Sequence, residues 1–78
     1  LKNPIIKGTL KLEVKNFHEG GKAVLFDPVG RVLYTKEIKP SQREVVIDLR
    51  SMPAGVYILR VEPNRDNFSD TYKIIKVD

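Results

Sequence analysis

Alternation with a period of two, not 3.6, runs through most of this chain. In "TLKLEVK", Leu10, Leu12 and Val14 share one side, and Thr9, Lys11, Glu13 and Lys15 share the other, which predicts a half-buried strand. "EVVIDL" repeats the pattern with Val45, Ile47 and Leu49 inward and Glu44 and Asp48 outward. In "VYILRVE", Arg60 and Glu62 belong in water, so alternation sends Tyr57, Leu59 and Val61 to the core. "KAVLFD", "RVLYTKEI" and "TYKIIKV" are rich in β-branched and aromatic residues and read as further strands. The last of these carries a lysine on each side, with Lys73, Ile75 and Val77 facing one way and Tyr72, Ile74 and Lys76 the other. That pattern suits the rim of a sheet, where a lysine reaches past the edge to water. A short additional strand around Pro4 to Ile6 is confined by its proline to an edge or a strand start.

Turn signals separate these runs at short intervals, as in an all-β sandwich or barrel. "HEGG" closes the first strand, "KPSQ" and "RSMPAG" make later connections, and "PNRDNFSD" is the longest. "DPVG" combines Asp27 at the first turn position, Pro28 at the second and Gly30 at the fourth, which predicts a type I hairpin turn and antiparallel neighbours on either side.

Seventy-eight residues hold a single thin core, so the expectation is one domain over residues 1–78, with "LKNP" the end of a linker from a preceding domain. Hydrophobic residues make up 41% and charged residues 31%, the balance of a folded domain. The absence of cysteine excludes disulfides and thiolate metal sites. No apolar run has the length of a membrane helix. The net charge of +4 is uneven: residues 1–40 carry eight Lys/Arg against four Asp/Glu, and residues 41–78 carry six of each. Lys2, Lys7, Lys11 and Lys15 are interrupted by Glu13 and lack interleaved aromatics, which argues for a solvated strand face and against nucleic acid.

Catalytic chemistry finds little support. His18 is the sole histidine, Ser41, Ser51 and Ser69 fall on separate loops, and no metal-ligand spacing occurs. "EGGK" lacks the spacing of a phosphate loop. Asp27 reads as a turn cap and Asp48 as solvent-exposed. There is no tryptophan for a carbohydrate platform, and Phe68, in a polar loop, is the single candidate for an exposed apolar contact. The sequence therefore predicts no catalytic residue, metal or cofactor.

"DPVGRVLY", "IDLRSMPAGVYILRV" and a terminal "KIIKV", preceded by "NP", together resemble the C-terminal sorting domain of type IX secretion cargo from Bacteroidota. The matching positions are Asn3 and Pro4; Phe26, Asp27, Gly30 and Arg31; Asp48, Leu49, Pro53, Ala54, Gly55 and Tyr57; and Lys73, Ile74, Ile75 and Lys76. Pro28, Met52 and the long "PNRDNFSD" connection depart from the pattern. The resemblance implies an immunoglobulin-like antiparallel β-sandwich of about seven strands. It further implies a secretion signal attached behind a cargo domain. Such a cargo passes through the periplasm, is carried by shuttle proteins and the outer-membrane translocon, loses the signal to a cysteine-protease-like sortase, and ends at the cell surface or outside. Gly30, Arg31, Pro53, Gly55, Tyr57, Lys73 and Lys76 are the recognition or motif candidates; for Gly30, Gly55 and Tyr57, specifying turn and core is the competing role. An exposed "TYKIIKV" edge would allow pairing with a receptor strand or an edge-strand dimer. The alternative function is an immunoglobulin-like binding or spacer module of a surface enzyme or adhesin.

Overall fold

The computed structural model describes residues 4–15, 17–65 and 69–78. Strands form where alternation and β-rich composition place them: β1 (Ile5–Ile6), β2 (Thr9–Glu13), β3 (Gly21–Phe26), β4 (Val32–Ile38), β5 (Glu44–Asp48), β6 (Gly55–Pro63) and β7 (Asp70–Lys76). They make a five-stranded sheet in the order β1-β7-β6-β3-β4 and a two-stranded sheet of β2 and β5. The chain is all-β, and its two sheets pack as a sandwich. Every pair is antiparallel except β1 with β7, so the larger sheet is mixed and departs from the purely antiparallel expectation.

The core lies between the sheets and is built from alternate residues of each strand. Ala23, Leu25, Leu59 and Ile74 from the large sheet, and Val45, Ile47 and Leu49 from the β5 segment, are wholly buried. Leu10, Tyr57 and Val61 join them as expected, and Leu12 packs against the cluster from a half-buried position. A two-stranded ribbon has little stability alone. Here β2 and β5 are held by the apolar side chains they press onto the larger sheet, each fully buried one contributing about 1.5–3 kcal/mol.

Two strands cannot roof five, so the margins of the large sheet stay open. On β4 only Ile38 reaches the core, while Tyr34 remains 37% exposed. Lys36 bridges the open side: its Nζ donates to the Val46 carbonyl of β5 at 2.8 Å and ties the two sheets together. At the other margin, the rim position expected of the last strand is corrected. Ile5 and Ile6 pair in parallel with Ile75 and Lys76, and the Ile75 and Val77 amides donate to Pro4 and Ile6 carbonyls at 2.9 Å. Pro4 offers only its carbonyl, the one backbone group this pairing needs of it. The terminal part of β7 is therefore an interior position of the sheet.

The "HEGG" turn closes with the Gly20 amide donating to the Phe17 carbonyl at 3.0 Å. Gly20 lies at φ +78°, which glycine adopts freely. A Cβ on Gly21 would collide with the Glu62 carbonyl oxygen and the Phe17 ring, so the backbones of β3 and β6 and this buried ring meet only because the side chain is a hydrogen.

Candidate functional site

Strand register decides which loops share an end of the sandwich. Phe26, the last residue of β3, lies opposite Ile58, near the start of β6. Gly55, the first residue of β6, lies opposite Lys76 at the end of β7, and Lys76 pairs in turn with Ile6. Thr9 at the start of β2 lies opposite Asp48 at the end of β5. The β3–β4 turn, the β5–β6 connection, the β1–β2 link and the terminal residues thus gather at one end. Of the sequence candidates, Gly30, Arg31, Pro53, Gly55, Tyr57 and Lys76 come together there, and Lys73 stands further along β7.

Three short polar constructions shape that end. In the first, the Gly30 amide closes on the Asp27 carbonyl at 3.0 Å, and the Asp27 carboxylate accepts from the Val29 and Arg31 amides at 3.1 and 2.9 Å. The Arg31 Nε donates to the same carboxylate at 2.6 Å. Gly30 takes φ +93°, as in a hairpin turn closed by a glycine, and further along β4 the pairing skips Leu33, since Leu25 lies opposite Tyr34 and Phe26 opposite Val32. The amide of Arg31, then its side chain, hold the nearly buried Asp27 carboxyl below its ordinary pKa against the opposing effect of burial.

In the second, Asp48 accepts from the Arg50 amide and Nε at 3.0 Å through one oxygen and from Nη2 at 2.9 Å through the other. The guanidinium pair, and then the amide bond, bring Asp48 down to about 2. Both side chains remain exposed, so the sequence reading of Asp48 as solvent-facing holds, with the ion pair added.

In the third, the Tyr57 hydroxyl donates to the Pro53 carbonyl at 2.6 Å while its ring fills the core at 7% exposure. The phenol spans the corner by which the chain passes from β5 to β6, as in the tyrosine corners of sandwich proteins. The sequence reading put Tyr57 inside but missed this bond. The Pro-to-Tyr spacing of four at a strand entrance was its signal.

The two lysines of the last strand diverge. Lys73 is half-buried on the outer face of the large sheet, opposite Ile58. Lys76 is on the inner side and only 5% exposed; its Nζ donates to the Val77 carbonyl at 3.2 Å and approaches Asp78 Oδ1 at 3.9 Å. Lys76 thus does not reach past a rim to water, because β1 stands beyond it. Burial on that side also pushes the Tyr72 phenol up, with the Asp70 charge adding to it.

An open cleft of about 660 Å³ occupies the opposite end, lined by Glu13, Phe17, His18, Ser41, Arg43 and Glu44 among others. His18 and Ser41, on separate loops in sequence, share its wall. Among the described residues no three His, Asp or Glu side chains are grouped to hold a metal ion. Asn3 and Phe68 lie outside the described residues.

Comparison with known families matches residues 3–77 to the secretion system C-terminal sorting domain. The chain belongs to this family. Neither curated proteins nor solved structures give a match. The sorting domain is a non-catalytic C-terminal signal of type IX secretion, and its destination is the cell surface or the exterior. The family match runs through all three constructions, from the Asp27 turn and the Asp48–Arg50 pair to the Pro53–Tyr57 corner.

Proposed function

We propose that this domain is read in its folded state, as an immunoglobulin-like sandwich that directs an N-terminally attached cargo from the periplasm through the outer-membrane translocon. A cysteine-protease-like sortase then removes it. The immunoglobulin-like reading is supported by the central β6–β3 pair, the parallel β1–β7 pair at one margin, the two-stranded β2–β5 sheet opposite, and the tyrosine corner. Residues 1–78 act as one unit, with residues 1–4 leading in from the cargo.

The observation that carries the folded-state reading is where the motif residues go. Asp27, Gly30, Arg31, Asp48, Pro53 and Tyr57 are spent on turns and corners at one end of the sandwich, which fixes the shape presented there. Rigid loops on a packed scaffold suit recognition by shape. Shuttle proteins and translocon are the partners on this reading. The test is to fuse residues 1–78 behind a periplasmic reporter in a host with a type IX system. The intact fusion reaches the medium or cell surface, and a reporter without the domain stays inside. Retention of both the intact form and a Lys73→Ala/Lys76→Ala form would overturn the reading.

A further inference from the structure

The two outer faces of the sandwich are unlike. On the small sheet, Thr9, Lys11, Glu13, Glu44 and Asp48 point outward and are exposed, as a solvated antiparallel face requires. On the large sheet, register sorts the outward residues into rows. At the cleft end, Lys22 stands between Glu37 and Glu62. One step along, Val24 lies between Arg60 and Thr35 and is buried without belonging to the inner core. Beyond it the face turns apolar: Phe26 stands between Ile58 and Val32, and Ile75 between Val56 and Ile5. Ile5 is 68%, Val32 59% and Val56 37% exposed. No described element covers them.

The cations of this region have a clear placement. Lys73 stands in the Ile58–Phe26 row, and the Arg60 guanidinium lies over the Phe26 ring, 5.4 Å from its centroid. The outward carboxylates Glu37 and Glu62 sit in the far row; only Glu62 reaches a cation of the region, 3.6 Å from Arg60. An apolar centre bordered by positive charge complements a protein surface with an apolar centre and a carboxylate rim.

We propose that the apolar half of the outer face of β7, β6, β3 and β4 is the surface by which the export machinery takes hold of this domain. Its partner is a protein face of apolar centre and acidic rim. The inference rests on the sorting function. It assigns contact to residues the motif does not include, chiefly Val56, Ile58 and Val32, and leaves the Asp27, Asp48 and Tyr57 constructions to hold the sheet in shape.

The test uses the reporter fusion with Val56→Glu and Val32→Glu, singly and together, and with Ile5→Glu as a further exposed site. Lys22→Gln and Glu37→Gln in the charged row serve as controls, and circular dichroism melting checks that each variant is folded. Export falls at least tenfold for the folded double variant and severalfold for Lys73→Glu, while Lys73→Arg and both controls export normally. Normal export of the folded apolar-face variants, with the wild type exported, overturns the assignment and spares the sorting function. Retention of the wild type itself overturns both. A wild-type dimer in sedimentation that Val56→Glu abolishes would give the face to a second copy, and Val56-dependent flotation with anionic phospholipid vesicles would give it to a membrane. Either result, with export intact, also overturns the proposal.

Discussion

Removing the Tyr57 hydroxyl leaves the Pro53 carbonyl without its partner at the β5–β6 corner. Tyr57→Phe is expected to lower stability by about 1 kcal/mol, the usual net worth of one such bond. Urea denaturation measures it, and an unchanged midpoint would remove the corner from the account. Asp48 acts through pH. Its carboxyl is lowered from 3.8 to about 2 in the folded chain, so the stabilisation is complete above 3.8 and disappears as pH falls through about 2. Stability measured across that window falls more steeply for the wild type than for Asp48→Asn. Equal slopes would mean that the Arg50 pair contributes nothing in solution. The glycines separate by mechanism. Gly30→Ala meets open space and costs only the left-handed strain of about 1–2 kcal/mol, whereas Gly21→Ala drives a methyl into the Glu62 carbonyl and Phe17, and is expected to be the more destabilising of the two by thermal melting.

At the level of elements, β1 is the short strand with the largest consequence. Its pairing places the Ile75 and Val77 amides inside the hydrogen-bonded sheet. Deleting residues 1–6 is expected to speed hydrogen exchange at both amides while leaving Leu59 protected, and unchanged exchange at Ile75 would show that β1 does not hold this edge. The strands themselves were legible in the sequence because one wet face and one dry face force alternation, and Leu10, Val45, Ile47, Tyr57, Leu59 and Val61 lie inward as that rule requires. For β7 the rule could not choose, since each of its faces carries a lysine. The structure buries the Tyr72–Ile74–Lys76 side, with Ile74 wholly covered. The rim assignment failed for a related reason: which strand lies beside which is set by long-range pairing, and nothing local in "NPII" announces a parallel partner some seventy residues away. The capping of the "DPVG" turn by Asp27 was legible in the sequence, but the Asp48–Arg50 pair and the Tyr57–Pro53 bond were hidden, because a motif gives the positions of donor and acceptor along the chain and not the turn that brings them together.

For the whole molecule, a core of about a dozen buried side chains between a five-stranded and a two-stranded sheet must supply nearly all the stability. Globular domains hold about 5–15 kcal/mol in total. Leu59→Ala, at a wholly buried site, is expected to remove about 2–5 kcal/mol and to bring the domain near unfolding. The same sensitivity separates a folded address from a linear one, because a core substitution leaves every exposed motif residue in the sequence and abolishes only their arrangement. The decisive measurement is therefore export of the reporter fused to residues 1–78 carrying Leu59→Asp, beside the wild type and beside the stable outer-row variant Glu37→Gln. Wild type and Glu37→Gln leave the cell and the Leu59→Asp fusion stays in the periplasm, intact by immunoblot and unfolded by protease sensitivity. Export of that unfolded fusion at the wild-type level would contradict the account, because the signal would then be the bare sequence and not the sandwich.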